Sequence, residues 1–194
     1  MRYDAEQKQR TRARILTEAA KAVRASGPHK VGVAEVMARA GLTHGGFYAH
    51  FKSKDALLAA TIARMFEAPL ETLDALAAER PAREALAGYV RFYLSAAHRD
   101  AHDAGCPLPG LVSESPRLSQ TGRASFEAGV TALQARLASL MHEAGSSEPE
   151  AAARSMLSEL LGALSVARAM SDVGKSDAVM AASRQAILAR LDPE

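Results

Sequence analysis

The chain has 194 residues, with 24 lysines and arginines against 22 aspartates and glutamates, and 48% of its side chains are hydrophobic. That length suits one domain, or a small domain joined to a modest one, and the apolar content excludes general disorder. A single cysteine excludes an intramolecular disulfide framework and fits a reducing compartment, so a cytoplasmic location is expected.

The first residues carry Lys8, Arg10, Arg12 and Arg14 with no apolar stretch behind them, which is not the pattern of a secretory leader. No uncharged apolar run reaches the roughly 18 residues a bilayer crossing needs, so no membrane partner is expected. The charge is unevenly divided. Residues 1–55 hold 11 basic and 5 acidic side chains, and the remainder hold 13 and 17. A basic front and an acidic back suggest an N-terminal module facing a polyanion and a C-terminal module with another task.

Apolar residues recur at spacings of three and four, and no segment alternates convincingly, so an all-α fold is expected. Glycine and proline clusters divide the chain into about nine helices, near 6–25, 33–40, 43–50, 54–67, 70–79, 82–103, 117–144, 148–173 and 176–191. The expected division is a domain of three helices over 1–53 and a helical domain over 54–194.

Residues 33–51 read VAEVMARAGLTHGGFYAHF. Val33, Val36, Met37 and Ala40 form the inward stripe of a two-turn helix, and Gly41 follows where a positive φ would turn the chain sharply. Leu42 plugs the turn and Thr43 is placed to cap the next helix, whose Phe47 and Phe51 share one face as core. This is a helix-turn-helix pattern, in which the second helix can enter a DNA major groove. Its outer side offers Thr43, His44, Gly45, Gly46, Tyr48 and His50, a set suited to base edges and phosphates. Gly45 and Gly46 each cost about 1 kcal/mol in a helix; close approach to DNA and close packing on the preceding helix both explain them. The Tyr48 hydroxyl suits a phosphate. Ser53 caps the following helix, and Lys54 sits at its N-terminus, where backbone N–H groups also meet phosphates. Arg12, on the first helix, adds attraction to DNA.

Thr11-Arg12, Ile15-Leu16 and Ala19-Ala20, then Val36-Met37-Ala38 with Ala40-Gly41-Leu42-Thr43, then Gly45-Gly46-Phe47-Tyr48, His50-Phe51, Ser53-Lys54 and Leu57-Leu58, resemble the DNA-binding domain of the TetR family of bacterial regulators over about 45 residues. The resemblance implies DNA contacts from Thr43, His44, Gly46, Tyr48, His50 and Lys54. It departs at Val23-Arg24, where the family usually has Leu-Phe, and at Val33, where a Thr commonly meets a phosphate.

The resemblance further implies a homodimer built on the last two long helices and an effector cavity among the middle ones. Met156, Leu160, Leu164 and Ala167, with Met180, Ile187 and Leu191, are the expected dimer contacts. Met65, Phe66, Tyr89, Phe92, Tyr93, Cys106, Leu111, Phe126 and Met141 are the expected cavity lining. The segment Gly105-Cys106-Pro107-Leu108 is similar to one found in a subgroup of the family, some members of which sense electrophiles or multidrug-like compounds. Cys106 then reads either as a small buried hydrophobe or as a thiol sensor, with His98, Arg99 and His102 nearby in sequence. A metal site on His98, His102 and Cys106 would need a continuous helix, which Gly105 and Pro107 oppose, so neither a metal nor a cofactor is expected.

The function expected is a ligand-responsive, dimeric transcriptional repressor that binds a pseudo-palindromic operator in double-stranded DNA and releases it when a small molecule binds. The alternatives are a helical interaction module without sequence-specific DNA binding, or a thiol- or metal-responsive sensor using Cys106. HExxH, GxSxG, P-loop and dinucleotide motifs are all missing, so no enzyme activity is expected.

Overall fold

In the computed structural model of the chain, residues 2–101 and 105–192 are described. Among them the α-helices are α1 (Arg2–Ser26), α2 (Val33–Arg39), α3 (Lys54–Met65), α4 (Glu67–Glu79), α5 (Ala82–Tyr93), α6 (Ala96–Asp100), α7 (Leu108–Leu111), α8 (Gln120–Glu143), α9 (Pro149–Ala169) and α10 (Val173–Leu191), with no β-strand. Short 3-10 segments cover Pro28–Lys30, His44–Ala49 and Ser115–Arg117. Two compact units result, Met1–Phe66 with Gly110–Gly129, and Glu67–Pro109 with Val130–Glu194. Within the first unit, α3 buries Leu57, Leu58, Thr61, Ile62 and Met65 and lies against α1.

In the first unit, α1 buries Ile15, Ala19, Ala20, Ala22 and Val23. Val36, Met37 and Ala40 of the α2 segment are buried as expected, while Val33 at its start is half-buried. Gly41 takes φ +67, and the Leu42 N–H returns to the Met37 carbonyl at 2.9 Å, closing α2 in a tight left-handed turn. Phe47 and Phe51 then enter the core, their rings stacked with centroids 5.8 Å apart. The Ser53 side chain accepts from the Ala56 N–H at 3.1 Å and starts α3, a cap of about 1 kcal/mol.

Later in this unit, Phe66 lies edge-on to Phe126 of α8, with centroids 5.9 Å apart. Its ring occupies the space where a Cβ on Gly129 would stand: such an atom would be 2.2 Å from the Phe66 Cδ2. A glycine is needed at this point of α8 for the aromatic ring to fit.

In the second unit, Leu73, Leu86, Tyr89, Val90, Tyr93, Leu133, Leu137, Leu160 and Leu164 are fully buried. Three arginines use their guanidinium groups to satisfy carbonyls that helix ends leave open. Arg83 donates to the Leu191 carbonyl at 2.6 Å and the Ala144 carbonyl at 3.3 Å. Arg168 donates to the His98 and Arg99 carbonyls at 2.8 and 3.0 Å, and Arg184 to that of Leu94 at 3.0 Å. The helix expected over 82–103 is interrupted. Leu94 leaves helical geometry, and the Ser95 side chain accepts from the His98 N–H at 3.1 Å to begin α6. Serine is a good capping residue, but the apolar spacing runs straight through it and conceals the break.

Candidate nucleic-acid interface and effector-facing residues

The outward surface of the helix-turn-helix is anchored from behind. Phe47 and Phe51 hold the segment His44–Ala49 onto the core, and the same backbone turns Thr43, His44 and Gly45 to solvent. Tyr48 is 71% exposed, its ring edge against Phe47, so its hydroxyl projects outward from a fixed base. His50 and Gly46 are half-buried. Lys54, exposed at the N-terminus of α3, donates to the His29 carbonyl at 3.2 Å.

The segment is a 3-10 turn where a regular α-helix was expected. Two adjacent glycines and a length of six residues explain this, because neither propensity nor a long ladder of bonds favours the α form. Thr43 sits at the capping position in extended geometry, but its side chain makes no capping bond. A Cβ added to Gly45 would meet nothing within 4 Å, and one on Gly46 only ordinary contacts at 3.8 Å with Met37 and Thr43. Internal packing therefore requires glycine at neither position.

Arg12 does not point to the outer surface. Its guanidinium lies over the Phe51 ring at 4.1 Å and donates to the His50 carbonyl at 2.6 Å. A cation over an aromatic face and an open carbonyl at the end of the turn together draw it inward, making it a strut under the His44–Ala49 segment. Its positive charge acts on His50, whose imidazole is held below its ordinary pKa by burial first, and then by Lys8 and Arg12. The His50 Nδ1 is buried without a hydrogen-bond partner. The sequence reading does not single out Lys8 for this role; the only signal is its position one turn before Arg12 on α1.

The nine expected cavity residues do not share one compact unit. Met65, Phe66, Leu111 and Phe126 belong to the first, and Tyr89, Phe92, Tyr93, Cys106 and Met141 to the second. Within the second, Tyr89 and Tyr93 are fully buried with ring centroids 5.8 Å apart, and the Tyr89 hydroxyl has no hydrogen-bond partner. Burial first, and then the neighbouring Cys106 thiol, pushes both phenols well above their usual pKa. Phe92 instead faces outward, 43% exposed, and stacks on His98 at 5.2 Å.

Gly105 has φ +89, and a Cβ there would lie 2.5 Å from the His98 Nε2, so both conformation and space demand glycine. The contact leaves room for a close bond: the Cys106 N–H donates to His98 Nε2 at 3.2 Å, while His98 Nδ1 lies 2.8 Å from the Tyr93 carbonyl. Accepting from an N–H and facing a carbonyl fixes the neutral tautomer with its proton on Nδ1. Burial lowers the His98 pKa, the Tyr93 carbonyl partly opposes that, and Arg168 adds to the lowering. With both ring nitrogens engaged, His98 has no lone pair to offer a metal; His102 lies outside the described residues. No cluster of three His, Cys, Asp or Glu able to hold a metal occurs among the described residues.

Six of the seven expected dimer contacts, Met156, Leu160, Leu164, Ala167, Met180 and Ile187, are buried within the protomer, and Leu191 is half-buried. The outward face of α9 carries Ser158, Gly162 and Val166, and that of α10 carries Ala178, Ala182 and Gln185. The largest apolar side chains go to the protomer's own core, where they bury more area, and the outward faces keep small residues together with the exposed Val166 and Gln185. No helix among the described residues is long and apolar enough to cross a membrane.

Residues 15–61 match the model of the bacterial regulatory proteins, tetR family. No curated protein matches the sequence. Among solved structures, the chain is similar to the reduced form of NemR from E. coli, at 23% identity and TM-score 0.80, covering 91% of this chain and 94% of that one. It is also similar to a TetR-family transcriptional regulator from Cytophaga hutchinsonii, at 20% identity and TM-score 0.81, covering 97% and 98%. A third, a TetR-family regulator from Agrobacterium tumefaciens, is 21% identical with TM-score 0.78 over 94% and 98%. At these identities the structural likeness establishes the fold.

Proposed function

We propose, from the premise that this chain belongs to the tetR family of bacterial regulatory proteins through its residues 15–61, that it is a dimeric repressor whose DNA affinity is set by a small-molecule effector. The observation that carries the reading is the surface of Thr43, His44, Gly45 and Tyr48, polar or bare, turned outward on a segment pinned by Phe47 and Phe51. Two such surfaces, related by a two-fold axis, would read half-sites in successive major grooves. Ser158, Gly162, Ala178 and Ala182, small residues on the outward faces of α9 and α10, suit close approach of a second copy, in which four helices would form the interface.

Effector recognition is assigned to Tyr89 and Tyr93, with Cys106 beside them as the softer, polarisable neighbour. The buried Tyr89 hydroxyl, which has no hydrogen-bond partner, costs free energy that a ligand oxygen or nitrogen recovers by bonding to it. Effector binding would favour a dimer whose recognition segments no longer match the operator spacing.

The test is operator binding at several salt concentrations, with wild type and Tyr48→Phe. Wild-type affinity falls steeply with salt, as release of counterions from neutralised phosphates requires. Loss of the Tyr48 hydroxyl weakens binding to specific and random duplexes alike, by about fivefold to tenfold for one phosphate hydrogen bond. Salt-independent binding, or a loss confined to the specific duplex, contradicts the assignment.

A further inference from the structure

We infer that the second unit holds an additional small-molecule site, for an amphipathic carboxylate, where α8 and α10 end and α9 begins. A half-open cavity of about 400 Å3 lies there, within the size range of small-molecule sites and separate from the Tyr89–Tyr93–Cys106 group. Its floor is apolar: Leu86, Met141, Met156 and Ile187 are core residues whose side chains reach its wall. An aliphatic or aromatic tail laid on that floor leaves water for a surface already dry on its far side.

The rim is polar, and both charged side chains that line it are cationic. The charged side chains lining the cavity, among the described residues, are Arg83 and Arg190. Arg83 spends three contacts on the Leu191 carbonyl at 2.6 Å, the Ala144 carbonyl at 3.3 Å and Asp192 Oδ1 at 3.3 Å. A guanidinium has five N–H donors, so two are left over. The exposed Asp192 carboxylate that meets Arg83 lies outside this lining. Arg190 pairs with Glu159 on α9, and both remain partly open to solvent.

One further feature favours a polar, hydrogen-bond-accepting head. The rim also includes Ser146, Ser147 and Ser155, whose hydroxyls are uncommitted to other side chains. A monocarboxylate with an apolar tail meets all of these at once: its oxygens accept from guanidinium and hydroxyl donors while its tail covers the floor.

The experiment is calorimetric titration of the full chain with octanoate, octanol and octylammonium. Octanoate binds, octanol binds about tenfold more weakly for want of a charge-assisted bond, and octylammonium does not bind. Ser155→Trp, which fills the cavity from an exposed position, abolishes octanoate binding; Arg190→Gln weakens it about tenfold. Tyr89→Phe leaves it unchanged, which separates this site from the one assigned to the effector. Circular dichroism and sedimentation verify that the variants keep their fold and assembly. Three results would each overturn the inference: octanol matching octanoate, Ser155→Trp binding octanoate like wild type, or no octanoate binding at millimolar concentration. Dissociation of the assembly by Ser155→Trp, with wild type binding no octanoate, would identify a second copy of the chain as the occupant instead.

Discussion

At His98, one imidazole holds two pieces of chain together. Its Nδ1 faces the end of α5 through the Tyr93 carbonyl, and its Nε2 accepts from Cys106, beyond residues 102–104. A proton added at Nε2 would face the Cys106 N–H and remove that bond. Because burial lowers its pKa below the ordinary 6.5, the folded chain takes this proton less readily than the unfolded chain. The contribution to stability is therefore fully present above pH 6.5 and is lost progressively as pH falls below it. His50, also lowered, acts in the same direction. Urea unfolding of a His50→Gln background should give a lower midpoint at pH 5.5 than at pH 7.5, and His98→Gln in that background should remove part of the difference. An unchanged pH slope would mean that His98 titrates alike in both states.

Between elements, the contact of α3's end with α8 is set by one missing methyl group. The Phe66 ring fills the place of a side chain at residue 129, and Ala at that position would meet ring carbons at 2.2 to 2.6 Å. Overpacking of this kind costs about 1–3 kcal/mol, offset by the roughly 1 kcal/mol by which Ala exceeds Gly in a helix. Gly129→Ala should lower stability by about 1 kcal/mol. In a Phe66→Leu background the same change should be neutral or stabilising, since the ring that blocks the methyl is gone. Equal effects in the two backgrounds, measured by denaturant unfolding, would mean that the two residues do not interact.

For the whole molecule, the proposed DNA reading depends on a second copy. Gly162 lies on the outward face of α9, and a Cβ added there meets nothing within 4 Å of its own chain. Gly162→Arg should therefore leave the protomer folded. If α9 is the interface, a long charged side chain in it yields monomers in sedimentation, and operator affinity falls by at least about a hundredfold as the second half-site is lost. A dimer that persists with full operator affinity would move the interface elsewhere on the chain.

Much of this was legible in the amino-acid order. The spacing of apolar residues determined that the chain is helical, and Gly41 between Met37 and Thr43 determined where it turns. Those features depend on neighbours within a few positions, which a linear sequence displays. It also named Tyr48, Thr43 and His44 for the outer surface, because Phe47 and Phe51 take the opposite side. Tertiary structure alone decided how Arg12 is used, since the ring of Phe51 and the carbonyl of His50 stand 38 or more residues away. It likewise decided that Met156, Leu160 and Leu164 serve the protomer's core, that Phe66 occupies the space at Gly129, and that Phe92 faces outward. A helical stripe records that a face is buried but not against what; the partner is chosen by competition among distant surfaces for the same apolar area, and that competition is resolved only in three dimensions.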